Sequence, residues 1–140
     1  MDHQLTHTTA VERYFFSPLY APRSAWAVLR WWESRRLLYN ISVGIAGLTT
    51  MAAGYFFSAL PPHPSLFTPA WIAVPIYALM ANVFYSFGTP ADLLLRRALG
   101  ERGAAVSQAL FRYGYAFAVG LTLLPIPLLA MGWVLKWFWG

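Results

Sequence analysis

From Leu37 to Leu60 the chain runs without one charged residue, directly after the cluster Arg30-Trp31-Trp32-Glu33-Ser34-Arg35-Arg36. A basic, aromatic collar followed by an apolar run of this length is the signature of a helix entering a bilayer from its positive side. At about 1.5 Å per residue such a run is long enough to cross roughly 30 Å of hydrocarbon. The remaining sequence is placed relative to this segment.

Composition supports the membrane reading. Of 140 residues, 59% are hydrophobic and 11% are charged, against about 25% charged in soluble domains. The formal net charge is +5, but the basic residues flank apolar spans. Topology and lipid headgroups account for that placement better than nucleic acid, which is not expected as a partner. The chain has no Cys, which excludes disulfides, thiolate metal sites and thiol catalysis. The basic residues are nearly all Arg, and Ala, Gly and Pro are plentiful, as in a GC-rich bacterial genome. The expected location is therefore the bacterial cytoplasmic (inner) membrane, with no secretory signal peptide.

The sequence predicts an all-α integral membrane protein with three transmembrane helices and additional interfacial amphipathic helices. Residues 1–21 form a cytoplasmic or interfacial arm, with Thr8 or Thr9 capping a short helix that Ser17-Pro18 ends. Residues 22–140 form the membrane domain. Its first interfacial helix covers about 22–36, opened by Pro22. Span one covers 37–60, where Asn40, Gly44, Gly47, Met51, Gly54 and Ser58 follow at intervals of four and three. In lipid, small residues let backbones approach, so this stripe is expected to pack against another helix.

Span two covers about 69–87, capped by Thr68-Pro69, with a kink expected at Pro75. Ala78, Ala81, Asn82 and Tyr85 form its packing face, and Asn82 is expected to bond across to another helix. Gly88-Thr89-Pro90-Ala91-Asp92 is expected to end this helix and start an interfacial one over 90–99, with Thr89 and Asp92 as a capping box. Span three covers about 113–135. Pro125 and Pro127 must bend or break it, and Trp133, Lys136, Trp137 and Trp139 anchor its end. The basic residues precede span one or lie between spans two and three, apart from Lys136. The positive-inside rule then puts the N-terminus in the cytoplasm and the C-terminus outside. Arg30, Trp31, Trp32, Arg35, Arg36, Arg96 and Arg97 are expected at lipid headgroups.

The chemistry absent from the sequence narrows the function. The expected spans hold no ionisable residue in their apolar interiors, which an ion-coupled carrier needs. No inverted repeat, nucleophile elbow, phosphate loop or metalloprotease helix is present. No metal site is expected: His3 and His7 sit on a polar arm with only Asp2 near them. His63, between prolines at the outer interface, is the one candidate ligand for a haem or chlorophyll-type pigment. No cofactor is required, and bound lipids or pigments would come mainly with partners. The expected function is a non-catalytic accessory subunit of a larger inner-membrane assembly, by analogy a photosynthetic or respiratory complex, packing against other transmembrane subunits and lipids. The alternatives are a self-associating transporter or pore lined by Asn82 and Thr122, and a lipid-modifying enzyme using Glu33 as a base.

Overall fold

The computed structural model of the chain describes residues 10–16, 24–62, 64–68, 71–100 and 103–139. Among them every regular element is a helix: α1 (Ala10–Phe16), α2 (Ala25–Ala59), α3 (Ala73–Leu99), α4 (Gly103–Leu123) and α5 (Pro125–Trp139). His63, His3, His7, Pro22 and Pro69 lie outside the described residues.

Two helical segments are long and apolar enough to cross a membrane: α2, and the run Val106–Trp139 made by α4 and α5. In the most apolar window of each, only 17% and 6% of residues are buried within the chain. A core helix of a soluble protein hides its apolar surface; these two leave it outward, as lipid-facing helices do.

The expected interfacial helix and first span are one helix. No proline interrupts Ala25–Ala59, and 35 residues make a rod of about 52 Å. That exceeds a hydrocarbon core of roughly 30 Å, so the turns bearing Arg30, Arg35 and Arg36 can extend past it. The buried residues Val28, Trp31, Trp32, Arg35, Tyr39, Val43 and Ala46 recur at threes and fours, which defines one inward face.

Helix α3 departs from the local turn signals. It begins at Ala73, so Pro75 falls in its first turn, where the missing N–H has no intrahelical partner to lose. It then continues through Gly88-Thr89-Pro90 to Leu99 and is capped by Gly100, whose φ is +60° and whose N–H donates to the Arg96 carbonyl. A mid-helix proline costs about 3 kcal/mol. Two contacts that a helix ending at Gly88 would forfeit offset it. The six-membered ring of Trp32 lies directly on Gly88, and Asp92 is carried into the core at 0% exposure.

Pro125 and Pro127 produce a one-residue break at Leu124 between α4 and α5. Both prolines sit in the first turn of α5, so the rod resumes at once. Helix α5 packs along α2 and reaches its far end, where Trp133 Nε1 donates to the Pro61 carbonyl at 2.8 Å. Beside it, the segment after Pro64 folds back and sets Phe67 on Gly54.

The aromatic core lies at the basic end of the bundle, where α1, α2, α3 and α4 meet. Phe111 of α4 is 2% exposed and contacts the rings of Tyr14, Trp31, Trp32 and Tyr115 at centroid distances of 5.7 to 6.0 Å. The tight seat of Trp32 on Gly88 gives a direct test. Gly88→Leu should lower stability by about 1–3 kcal/mol, the usual overpacking range. Gly120→Leu should not, because a Cβ there meets nothing within 4 Å. Thermal unfolding of both variants in one detergent decides this, and equal melting temperatures would refute the packing.

Candidate functional site

The densest polar chemistry surrounds Asp92. Its Oδ2 accepts from Trp32 Nε1 at 3.0 Å. Its Oδ1 accepts from Arg96 Nε at 2.8 Å and Ser107 Oγ at 2.6 Å. Arg96 Nη2 also donates to Ser107 Oγ at 2.5 Å. One carboxylate thus ties α2, α3 and α4 together. Asp92 and Arg96 are neighbours on α3 by i,i+4 spacing, and Ser107 comes from the first turns of α4. A buried charge survives only when paired and hydrogen-bonded, and both carboxylate oxygens are satisfied here.

A second cation enters the core one turn along α2 from Trp32. Arg35 is 7% exposed, and its guanidinium lies 3.9 Å from the Trp31 ring centroid and 5.2 Å from that of Tyr14. Arg35 Nε donates to the Tyr14 carbonyl at 3.1 Å, while Tyr14 Oη donates to the Arg35 carbonyl at 2.6 Å. Helix α1 is docked by this reciprocal pair. Burial pushes the Tyr14 phenol up to about 12, which keeps it a donor at neutral pH. Tyr85 Oη similarly donates to the Trp32 carbonyl at 2.5 Å.

The expected headgroup residues therefore divide. Trp31, Trp32 and Arg35 are buried, and the Arg96 side chain is 13% exposed. Arg30, Arg97 and, in part, Arg36 face outward. The inward set occupies the core face of α2 or binds Asp92.

Two lateral grooves run below this polar layer. The larger, about 620 Å³, lies between α3 and α4 and is walled by aromatic rings, among them Tyr39, Phe84, Tyr85, Phe111 and Phe117. The smaller, about 460 Å³, lies between α2 and α3 and is lined by Asn40, Gly44, Gly47, Met51, Ala78, Ala81 and Asn82, with Tyr77 and Thr122 at its back. The expected packing residues of the first two spans thus line one groove. Three others lie elsewhere: Gly54 is under Phe67, the Ser58 hydroxyl donates to the Gly54 carbonyl, and Tyr85 is in the core. The Asn82 amide donates to the Ala78 carbonyl of its own helix at 3.0 Å. Tyr77 Oη and Thr122 Oγ1 are 2.6 Å apart, and Thr50 Oγ1 donates to the Thr122 carbonyl at 2.7 Å. This trio joins three helices beside the proline break. Its polar groups are satisfied inside the bundle, as lipid requires.

Comparison of the chain with protein-family models, curated proteins and solved structures gives no match. The site is therefore read from its own geometry. The Asp92 node was hidden in the sequence because Thr89-Pro90 reads as a helix start, which makes Asp92 a solvent-facing cap. The signal that could have found it is the Asp92-Arg96 spacing on one helix.

The node carries a sharp expectation. Asp92→Ala leaves Arg96 without its carboxylate and should destabilise the bundle by about 3–5 kcal/mol. The pair Asp92→Leu with Arg96→Met, which removes both charges, should recover much of that loss. Unfolding temperatures in a single detergent measure both, and a wild-type value for Asp92→Ala would show that the node bears no stability.

Proposed function

We propose that the chain is a non-catalytic accessory subunit of a larger membrane assembly, with α2, α3 and the α4–α5 rod as its three spans. The observation that carries this reading is how the polar groups are used. Asp92 is the one described carboxylate buried in the bundle, and its oxygens are already committed to Trp32, Arg96 and Ser107. A general base or nucleophile must instead offer a reactive group to a cavity. Both cavities are walled mainly by apolar side chains, which suits packing and lipid contact. Helix α5 supports the same reading, since none of its 15 residues is buried by the chain itself.

The proposed orientation places the Arg30–Arg36 and Arg96–Arg97 end in the cytoplasm, by the distribution of basic residues, and the C-terminus outside. The proposed membrane is a bacterial inner membrane. The proposed assembly is a bioenergetic complex, by analogy with complexes that use small, catalytically empty helical subunits.

Two measurements test the proposal. Extracted from its native membrane in mild detergent, the chain should migrate on a native gel with other transmembrane subunits, identified by mass spectrometry. A small band of this chain alone would overturn the subunit reading. For topology, Ser65 is exposed in the loop between α2 and α3. A Ser65→Cys variant should react with an impermeant thiol reagent on intact cells, whereas labelling only after lysis would reverse the orientation.

A further inference from the structure

We propose that the groove between α2 and α3 holds an acyl chain of a bilayer aminophospholipid, with its phosphate on Arg36 and its ammonium on Glu33. This goes beyond the subunit reading and does not depend on it. Three observations on the same face converge.

The first is a dipolar pair at the mouth. Arg36 Nη2 lies 2.8 Å from Glu33 Oε1, and the two side chains are 31% and 46% exposed. The same Nη2 donates across the helix gap to Ser86 Oγ at 3.1 Å, so the guanidinium bridges α2 and α3 one turn above Asn40 and Asn82, which line the groove. Nη1 of Arg36 has no hydrogen-bond partner among the described residues and can donate to a phosphate oxygen. Glu33 can accept from an N–H of the ammonium. A primary ammonium one ethyl unit from a phosphate presents both charges in the matching order. A trimethylammonium headgroup lacks the N–H, and a glycerol headgroup lacks the cation.

The second is Asn40, one turn below Arg36, or about 6 Å deeper. Its side chain lines the groove, is exposed and has no hydrogen-bond partner among the described residues. An amide at the edge of the hydrocarbon is costly unless something bonds to it. An ester carbonyl at the glycerol depth of a phospholipid is an acceptor in the right layer.

The third is size. The lining of α2 from Asn40 to Met51 extends about 16 Å, close to half of a roughly 30 Å hydrocarbon core and so to the reach of one acyl chain. The groove floor is open at Gly44, where a Cβ would meet no atom within 4 Å, and closes on Thr122 at Gly47.

The test uses the full chain reconstituted in bilayers of equal parts phosphatidylethanolamine, phosphatidylcholine and phosphatidylglycerol, then extracted in mild detergent. The lipid retained per chain is read by native mass spectrometry. The expected result is one retained phosphatidylethanolamine, enriched roughly tenfold over the other two, as for one charge-assisted hydrogen bond. Glu33→Gln should abolish the preference over phosphatidylglycerol while lipid is still retained. Gly44→Phe, which fills open space, should lose retained lipid of all three kinds. Should Gly44→Phe fail to fold, Asn40→Leu decides, with a reduction expected. Retained lipid in bulk proportions, or an unchanged preference in Glu33→Gln, would overturn the proposal. So would unchanged lipid retention in a folded Gly44→Phe, which would leave the groove to a polypeptide occupant.

Discussion

A carboxylate with no exposed surface, at the end of a bundle whose sides are apolar, constrains nearly everything around it. Asp92 could not be buried alone, because an isolated charge there would neutralise or draw in water. It is held by three donors from three helices, and each donor fixes its helix. Trp32 sets the rotation of α2. Arg96 requires α3 to stay helical for another turn beyond Asp92. Ser107 brings the start of α4 back against α3. The Gly88 contact follows from the same requirement: the indole that reaches Asp92 must pass over α3, and only a residue without a Cβ leaves room. Replacing the whole set with apolar residues could be as stable. What the polar set supplies in addition is a single register for three helices that apolar packing alone could let slide.

The Arg35 site shows a different solution to the same problem. Its guanidinium is covered by the Trp31 and Tyr14 rings and hydrogen-bonded to backbone carbonyls. Arginine tolerates this better than lysine, because its flat, delocalised cation stacks on aromatic faces and is weakly hydrated. Residue types that line a membrane surface therefore also build this core, and their position on the helix decides between the two uses. Arg36, a hundred degrees around α2, stays at the rim with Glu33.

How far the sequence was legible follows from the range of each signal. The long uncharged run after Arg36 and the interruption at Pro125 are local or compositional, and they read correctly as an apolar helix and a break. Thr89-Pro90 was misleading for a physical reason. Turn chemistry reports what the isolated backbone prefers, and here contacts made by Trp32 and Ser107, about 60 and 15 residues away, outweigh it. Pro75 misled less deeply: its effect depends on where the helix starts, and a start at Ala73 makes it harmless. The inward turn of Trp31, Trp32 and Arg35 was readable in part. Together with Val28, Tyr39 and Val43 they keep a three-four spacing, but periodicity alone does not say whether such a stripe faces protein or headgroups. The grooves were not readable at all, because they exist only where two helices diverge.

The two ends of the bundle are stabilised unequally, and this bears on what completes the molecule. At the basic end four helices share an aromatic core and the buried Asp92 node. At the far end α5 leans on α2 through Phe57, Trp133 and the Pro61 carbonyl, while Leu128, Met131, Trp137 and Phe138 remain exposed. In water that surface would drive aggregation; in a bilayer, lipid covers it without holding it in place, because lipid and leucine are equally apolar. The position of α5 then rests on a contact with α2 that buries none of its residues, and elements with few buried side chains sample open states first. A subunit of an assembly can tolerate this, since a neighbouring helix supplies the missing packing. An isolated enzyme or channel needs its catalytic or conducting elements to hold their geometry unaided. The imbalance between the ends is what the proposed subunit reading expects, and the apolar side chains that α5 leaves outward are the surface that reading assigns to a neighbouring helix.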